Sequence, residues 1–294
     1  VLNKLFQFKS FNIGYFSALL SSILFGTMPI FGKSLTSTNP LTISLLIAII
    51  TMTMTLPITF SKKLPIISRK NLLLILILAC LGTVLAPNIY LLGLHDSSLS
   101  DAAILSNSEI VFTIIFAIVI FKEKLKRSNY VPLILISTGV LIISTKLDFT
   151  NLLVSFNIGN ILIIMSMLLW SFDNNISKII AQKLNAIHIV QIKTIFGSII
   201  ILMIVFISKS DINIHTNMVH AIILGIVSFG LPMILLYNAI RNIGTIMSIL
   251  ILSTSPIFSI LYSTIFLGEN IYGYQLISII AMISGIIILY KYEK

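Results

Sequence analysis

Phe121-Lys122-Glu123, followed by Thr138-Gly139-Val140-Leu141-Ile142-Ile143, is written a second time as Leu267-Gly268-Glu269 followed by Ser284-Gly285-Ile286-Ile287-Ile288-Leu289. Glu123 and Glu269 stand 146 residues apart, as do Gly139 and Gly285. Upstream, Lys33 with Lys178 and Ala86-Pro87 with Leu231-Pro232 keep a spacing of 145. The spacing predicts two copies of one unit, residues 1–146 and 147–294. Each copy holds about five apolar segments of membrane length. Five is odd, so the second copy must enter the membrane upside down relative to the first. Inverted repeats of this kind are the architecture of alternating-access transporters.

Composition points the same way. The chain is 57% hydrophobic and only 10% charged, with a mean hydropathy of +1.08, whereas soluble domains carry about 25% charged residues. The net charge of +10 does not imply a nucleic-acid partner, because the basic residues sit in short loops between apolar runs. A single cysteine, Cys80, excludes an intramolecular disulfide and a cysteine-based metal cluster. It falls among leucines and reads as a small packing residue. The first apolar run, from Ile13 to Gly32, is too long for the hydrophobic core of a signal peptide, and no small-residue cleavage site follows it. It reads as the first spanning helix.

Ten segments approach the ~20 apolar residues that a spanning helix needs. They cover 13–33, 41–60, 72–93, 99–121, 130–145, 158–178, 186–207, 218–240, 244–266 and 271–290. The fourth and sixth are the most polar. None alternates with period two, so a β-barrel is not expected. The predicted fold is all-α and integral to the membrane, with ten transmembrane helices as two inverted five-helix repeats. With the N-terminus inside, sixteen Lys and Arg residues, Lys193 among them, fall on the cytoplasmic side, and Lys33, Lys146 and Lys209 on the other. The positive-inside rule then puts both termini in the cytoplasm. The loop Lys122–Arg127 is basic, while its counterpart Gly268–Ile271 carries only Glu269, as opposite orientations require.

Pro29, Pro87, Pro232 and Pro256 fall within spans. Each removes a backbone donor and favours a kink. Three acids also fall within spans, and such groups face a cavity or a partner. Glu109 lies near the middle of the fourth segment, where it suits proton coupling or a structural hydrogen bond. Asp101, after Ser98 and Ser100, suits the N-terminal end of the same helix. Asp173 belongs to a set formed by Ser166, Trp170, Asp173, Asn174 and Ser177. That spacing makes one polar stripe on the sixth helix, facing the protein interior. Trp170 can stack on a planar or cationic substrate, and Asp173 can contact substrate, carry a proton, or pair with Lys178 or Arg241. Asn88 with Tyr90, and Tyr237 with Asn238, offer substrate contacts or interhelical hydrogen bonds. Ser255, Ser259 and Ser263 form a small-residue face suited to close helix packing.

Common enzyme signatures are missing. His95, His188, His215 and His220 show no metal-ligand spacing, and neither a Gly-x-Ser-x-Gly elbow nor a phosphate-binding loop occurs. No catalytic residue, metal or cofactor is expected.

In combination, the motifs resemble the drug/metabolite transporter superfamily, specifically its EamA type. They are Leu24-Phe25-Gly26 followed by Pro29, the turns Phe121-Lys122-Glu123 and Leu267-Gly268-Glu269, and the last helices with Thr138-Gly139-Val140 and Ser284-Gly285-Ile286. The likeness covers essentially the whole chain. The family's Pro-x-Phe context stands as Ser255-Pro256-Ile257-Phe258, but the first half reads Ser108-Glu109-Ile110-Val111-Phe112, without the proline. Small multidrug relatives use a glutamate in their first helix, and residues 13–33 contain no acid. The resemblance implies a transporter of small metabolites in the cytoplasmic (inner) membrane, often an exporter, with a cavity between the halves.

The expected activity is secondary transport of an amino acid-like or related amphipathic solute, outward and coupled to protons. Asn88, Tyr90, Trp170, Asp173, Asn174, Tyr237 and Asn238 would form the substrate site, with Glu109 or Asp173 as the proton-linked group. The expected partners are the small-molecule substrate and the lipid bilayer, with a homodimer left open and no nucleic acid. An uncoupled facilitator or exchanger, a non-transporting membrane subunit and a lipid flippase are the rival readings.

Overall fold

The computed structural model describes residues 2–33, 35, 38–60, 67–96, 105–106, 108–145, 147, 158–210, 218–268 and 270–293. Among the described residues every regular element is helical. Asp101, His215, Lys146 and Glu269 lie outside the described residues.

The chain starts with α1 (Leu2–Phe25) and resumes, after Gly26-Thr27, as α2 (Met28–Lys33). Pro29 has no N–H to return to the preceding turn, and the carbonyls on either side of Phe25 accept hydroxyls. Thr27 Oγ1 donates to Leu24 O at 2.7 Å and Ser259 Oγ to Gly26 O at 2.8 Å. The Ser255/Ser259 face therefore packs directly on Gly26, where a Cβ would lie 2.7 Å from Phe258 Cβ.

Next come α3 (Pro40–Phe60) and α4 (Arg69–Leu78), the latter capped by Ser68 Oγ on the Asn71 N–H. A seven-residue π-helical segment, π1 (Ala79–Leu85), leads from α4 into α5 (Ala86–Asp96). Then follow α6 (Ser108–Val119), a short 3₁₀ turn at Arg127–Asn129, α7 (Tyr130–Thr145), α8 (Ile158–Ala181) and α9 (Ala186–Ser208). Beyond them, α10 (Met218–Ile223) passes through π2 (Leu224–Gly230) into α11 (Leu231–Ile243). The last elements are α12 (Thr245–Leu252), α13 (Ser255–Leu267) and α14 (Gly273–Glu293). Gly244, at φ 83°, joins α11 to α12 in a backbone conformation that only glycine adopts freely.

The prolines explain the two π segments. Pro87 and Pro232 are the second residues after π1 and π2. Each deletes one rung of the helical ladder, and the preceding turn widens, so that the Ala86 N–H reaches Leu81 O and the Leu231 N–H reaches Ile226 O. The segments start 145 residues apart, at Ala79 and Leu224, matching the sequence spacing.

Among the described residues, six helical stretches are long and apolar enough to cross a membrane: Pro40–Pro57, Arg69–Gly93, Ala186–Ser208, Met218–Ile243, Thr245–Phe266 and Gly273–Lys291. Asn12–Phe25, Ser108–Val119 and Arg127–Ile142 are shorter apolar helices. Helix α8 is long enough but too polar, because it carries the stripe foreseen for it. Ser166, Ser171, Asp173, Asn174, Asn175 and Ser177 are all buried against neighbouring helices. Outward faces are apolar, with Phe206 86% and Ile207 79% exposed, which suits lipid and not water.

Packing between elements is reciprocal. Helix α1 lies against α11, and α5 against α8; α7 pairs with α14, and α3 with α9. A Cβ on Gly139 would lie 2.6 Å from Met282 Cγ, and one on Gly285 2.6 Å from Ile136 Cγ1. Ser21 Oγ donates to Pro232 O at 2.8 Å, and Ser166 Oγ to Ala86 O at 2.8 Å. Gly139 and Gly285 thus exchange partners one repeat spacing apart, and Ser21 and Ser166 do so to within one residue.

Candidate functional site

A cavity of about 90 Å³ opens among α2, α3, π1, α5, α8, α9, π2 and α11. Its wall is apolar and aromatic where Met28, Leu224, Phe229, Met233, Tyr90 and Trp170 line it, and hydroxyl-bearing at Ser44, Thr51, Thr83 and Thr194. Among the described residues, no charged side chain lines it. Tyr90 and Trp170 face each other with ring centroids 5.6 Å apart, tilted by 53°. Tyr90 OH accepts from Ser106 Oγ at 3.4 Å. Asn88 stands behind this wall, donating to Val84 O at 2.7 Å and accepting from the wall residue Ser44 at 3.3 Å.

One turn below the cavity lies a buried charge network. Lys193 Nζ contacts both carboxylate oxygens of Asp173, at 2.7 and 2.8 Å. It also donates to Tyr237 OH at 2.8 Å, and that phenol donates onward to Asp173 Oδ2 at 3.1 Å. The ammonium stands 5.4 Å from the centroid of the Tyr237 ring. The Lys193 side chain is 0% exposed and that of Asp173 5%. Gly82 separates the network from the cavity, since it lines the cavity and a Cβ there would come within 2.6 Å of Lys193 Nζ. An apolar cluster including Ile75, Leu78, Ile180, Leu184, Ile189 and Ile240 packs around Tyr237.

Beside this network, Asn174 Nδ2 donates to Glu109 Oε1 at 2.8 Å. Further along α8, Lys178 pairs with Glu123 at 2.8 Å, and Glu123 Oε1 also accepts the Ile246 N–H at the start of α12. The repeated Phe-Lys-Glu turn of the first half is thereby tied to two helices of the second.

The structure brings Tyr90 and Trp170 onto the cavity wall, Asp173 and Tyr237 into the network beneath it, and Asn174 onto Glu109. Asn238 lies apart, donating to Ser17 Oγ at 3.0 Å and joining α11 to α1. The pairing considered for Asp173 is corrected. Lys178 binds Glu123, Arg241 donates to Asn185 Oδ1 at 3.3 Å, and Lys193 is the partner of Asp173. Lys193, counted above among the cytoplasmic-side charges, is instead enclosed within α9, because a carboxylate in reach offsets the cost of leaving water. The reading of the residues missed it. Its one signal is a lysine standing eight residues into a helix of membrane length. The hydroxyls of Thr51, Thr83 and Thr194 were missed as well, since single threonines in a span carry no pattern. Among the described residues, no group of three His, Cys, Asp or Glu could hold a metal ion.

A model of the EamA-like transporter family matches residues 12–145 and, a second time, residues 157–291. The chain belongs to the EamA-like transporter family. It is 30% identical over 297 residues to an uncharacterized transporter of Methanothermobacter thermautotrophicus, covering 94% of this chain and 86% of that protein. It is 25% identical over 294 residues to an uncharacterized transporter of Clostridium kluyveri, covering 96% and 94%. A protein of known crystal structure superposes with a TM-score of 0.76 at 13% identity, covering 97% of each chain; at that identity the likeness concerns the fold alone. Family membership and the apolar helices together make this EamA-like chain a multi-pass membrane protein of transporter type.

Proposed function

We propose that the chain is a secondary transporter carrying a small amphipathic metabolite outward across the cytoplasmic membrane, by alternating access of two inverted five-helix repeats. The exchange of partners between residues one spacing apart supports this, because a two-fold axis in the membrane plane generates such pairs. The two separate matches to the family model support it too. The observation that carries the reading is the cavity, walled by α2, α3 and α5 from one half and by α8, α9 and α11 from the other. Rocking one half against the other opens it to either side.

In this reading Tyr90 and Trp170 hold the substrate body. Asp173 is charge-balanced by Lys193, so protonating it would break an ion pair. Glu109 has only the Asn174 amide as its hydrogen-bond partner among the described residues, and an amide N–H can donate to a carboxylate or to the carbonyl oxygen of a protonated acid. Glu109 is therefore the proton carrier. Asn88, Tyr237 and Asn238 hold helices in register around the cavity.

The test is flux in proteoliposomes offered a metabolite mixture, with and without an imposed pH gradient, read by mass spectrometry of the lumen. The pH gradient should drive accumulation of at least one solute, and Glu109→Gln should abolish that drive while inserting normally. Accumulation driven equally well in the variant would remove Glu109 from the mechanism. Flux that follows the solute gradient alone would identify an uncoupled exchanger. No flux of any solute would leave a membrane subunit without transport.

A further inference from the structure

We propose that Thr113, Asn175 and Thr245 bind a short file of buried water that conducts protons between the level of Glu109 and the cytoplasmic side, closed at its lower end by the Glu123–Lys178 pair. The proposal rests on the reading of Glu109 as the proton carrier and supplies the route by which that proton leaves.

Orphaned polar atoms mark the route. Thr113 Oγ1, Asn175 Oδ1 and Thr245 Oγ1 are buried with no hydrogen-bond partner among the described residues. These residues are 0%, 1% and 0% exposed. A hydroxyl inside a helix can return to the carbonyl of the preceding turn, as Ser171 and Thr194 do, but Thr113 does not. Buried polar atoms that the protein leaves unpaired are where structural water binds.

The three lie in order between two carboxylates. Glu109, Thr113 and Ala117 stand four residues apart on one face of α6. The chain then folds back, and the Glu123 N–H donates to Ala117 O at 2.8 Å. Helix α8 runs alongside in the same direction. Asn174 meets Glu109, Asn175 Nδ2 donates to Thr113 O at 3.1 Å, and Lys178 meets Glu123. Thr245 opens α12 between Gly244, where a Cβ would lie 2.5 Å from Glu123 Oε1, and Ile246, whose N–H donates to that oxygen. Four residues of α-helix rise about 6 Å, so Thr113 is one turn below Glu109. Below it, Ala117 contributes only a methyl group. Phe116 stacks on Phe112 and on Phe172 alongside, and these rings offer no competing polar group.

The chemistry follows from the donor set. A hydroxyl donates and accepts, and an amide oxygen accepts. Water held on them takes a proton on one side and releases one on the other, so Glu109 returns to the carboxylate and nothing is consumed. Asp173 and Tyr90 also lie within electrostatic reach of Glu109. Asp173 is held by Lys193, and Tyr90 lines the cavity, which leaves the Thr113 side as the way down. Protonating Glu123 would break its pair with Lys178, so the file stops there while the pair holds. Parting the pair opens the file. Proton relays are among the uses to which ionisable groups at membrane depth are put.

The test is passive proton flux into proteoliposomes of the full chain, read with an entrapped pH dye under a potassium diffusion potential and with no solute present. The parent should be tight. Lys178→Met, at a side chain 26% exposed, should leak faster by about 10-fold or more, the effect of taking one charge-assisted contact off the barrier. Adding Thr113→Val or Asn175→Leu should return the leak to the parent's rate. No leak in Lys178→Met, or a leak undiminished by either second change, would overturn the file. Where a variant folds poorly, a density map that resolves ordered water decides: water on Thr113 Oγ1 and Asn175 Oδ1 is expected, and a dry contact at both overturns the proposal. Glu109→Gln separates the file from the carrier reading. A leak that survives Glu109→Gln but is lost with Thr113→Val would keep the file and remove Glu109 as carrier. Accumulation driven by a pH gradient that is lost in Glu109→Gln, yet kept in Thr113→Val and Asn175→Leu, would keep the carrier and remove the file.

Discussion

Lys193 has exchanged water for one carboxylate and one phenol, and that sets what its loss would do. Lys193→Met alone strands the Asp173 carboxylate with the Tyr237 hydroxyl as its remaining donor in the network. Removing one member of a buried pair costs roughly 3–5 kcal/mol. The single variant should therefore melt well below the parent, and adding Asp173→Asn should recover most of the loss. Melting curves of the three proteins in one detergent check this; a double variant as weak as the single would mean that the pair is not what Lys193 contributes. At this scale the sequence was legible only in part. The stripe Ser166, Trp170, Asp173, Asn174 and Ser177 could be read because lipid penalises a polar face, so it had to point inward. The partner of Asp173 could not be, because Lys193 is 20 residues away across a turn and no helical period links the two. Tyr90 and Trp170, singled out on opposite halves, meet at 5.6 Å, a distance that tertiary packing alone decides.

At the scale of elements, the proline and glycine positions carried much of the legible information. Pro87 and Pro232 announced distorted helices, and each follows a widened turn of the same length. That the distortion takes the form of a π segment was not legible, since a missing donor can be accommodated by a kink, a bulge or a break. Gly139 and Gly285, by contrast, were read as a repeat signature without a reason. The reason is the closeness of α7 and α14, where each glycine receives a side chain of the other helix. Gly139→Val and Gly285→Val should each destabilise the protein, by about 1–3 kcal/mol for an overpacked interface. Gly273→Ala, with nothing within 4 Å of the new methyl, should stay within about 0.5 kcal/mol of the parent. Thermal melts of the three variants test this. A loss at Gly139 without a similar one at Gly285 would show that the two contacts are not equivalent.

For the whole molecule, orientation decides what the cavity can do. The basic turn Phe121–Lys126 and its counterpart after Gly268 are one repeat apart, and the proposed inverted repeat requires an odd number of crossings between them, which would put them on opposite sides of the membrane. Lys124 and Asn270 are both exposed, so each can be tested without disturbing packing. With the lone Cys80 first replaced by Ser, Asn270→Cys should react with a membrane-impermeant maleimide on intact cells. Lys124→Cys should react only after the membrane is opened, as the positive-inside rule requires. Labelling of both from the same side would mean an even number of crossings, and the inverted repeat would fail with it. The expected result also fixes the direction the cavity faces. The Asp173–Lys193–Tyr237 layer and the Glu123–Lys178 pair both lie between the cavity and the side of Lys124. With Lys124 inside, these are the contacts that close the cavity from the cytoplasm, and an exporter must part them to load.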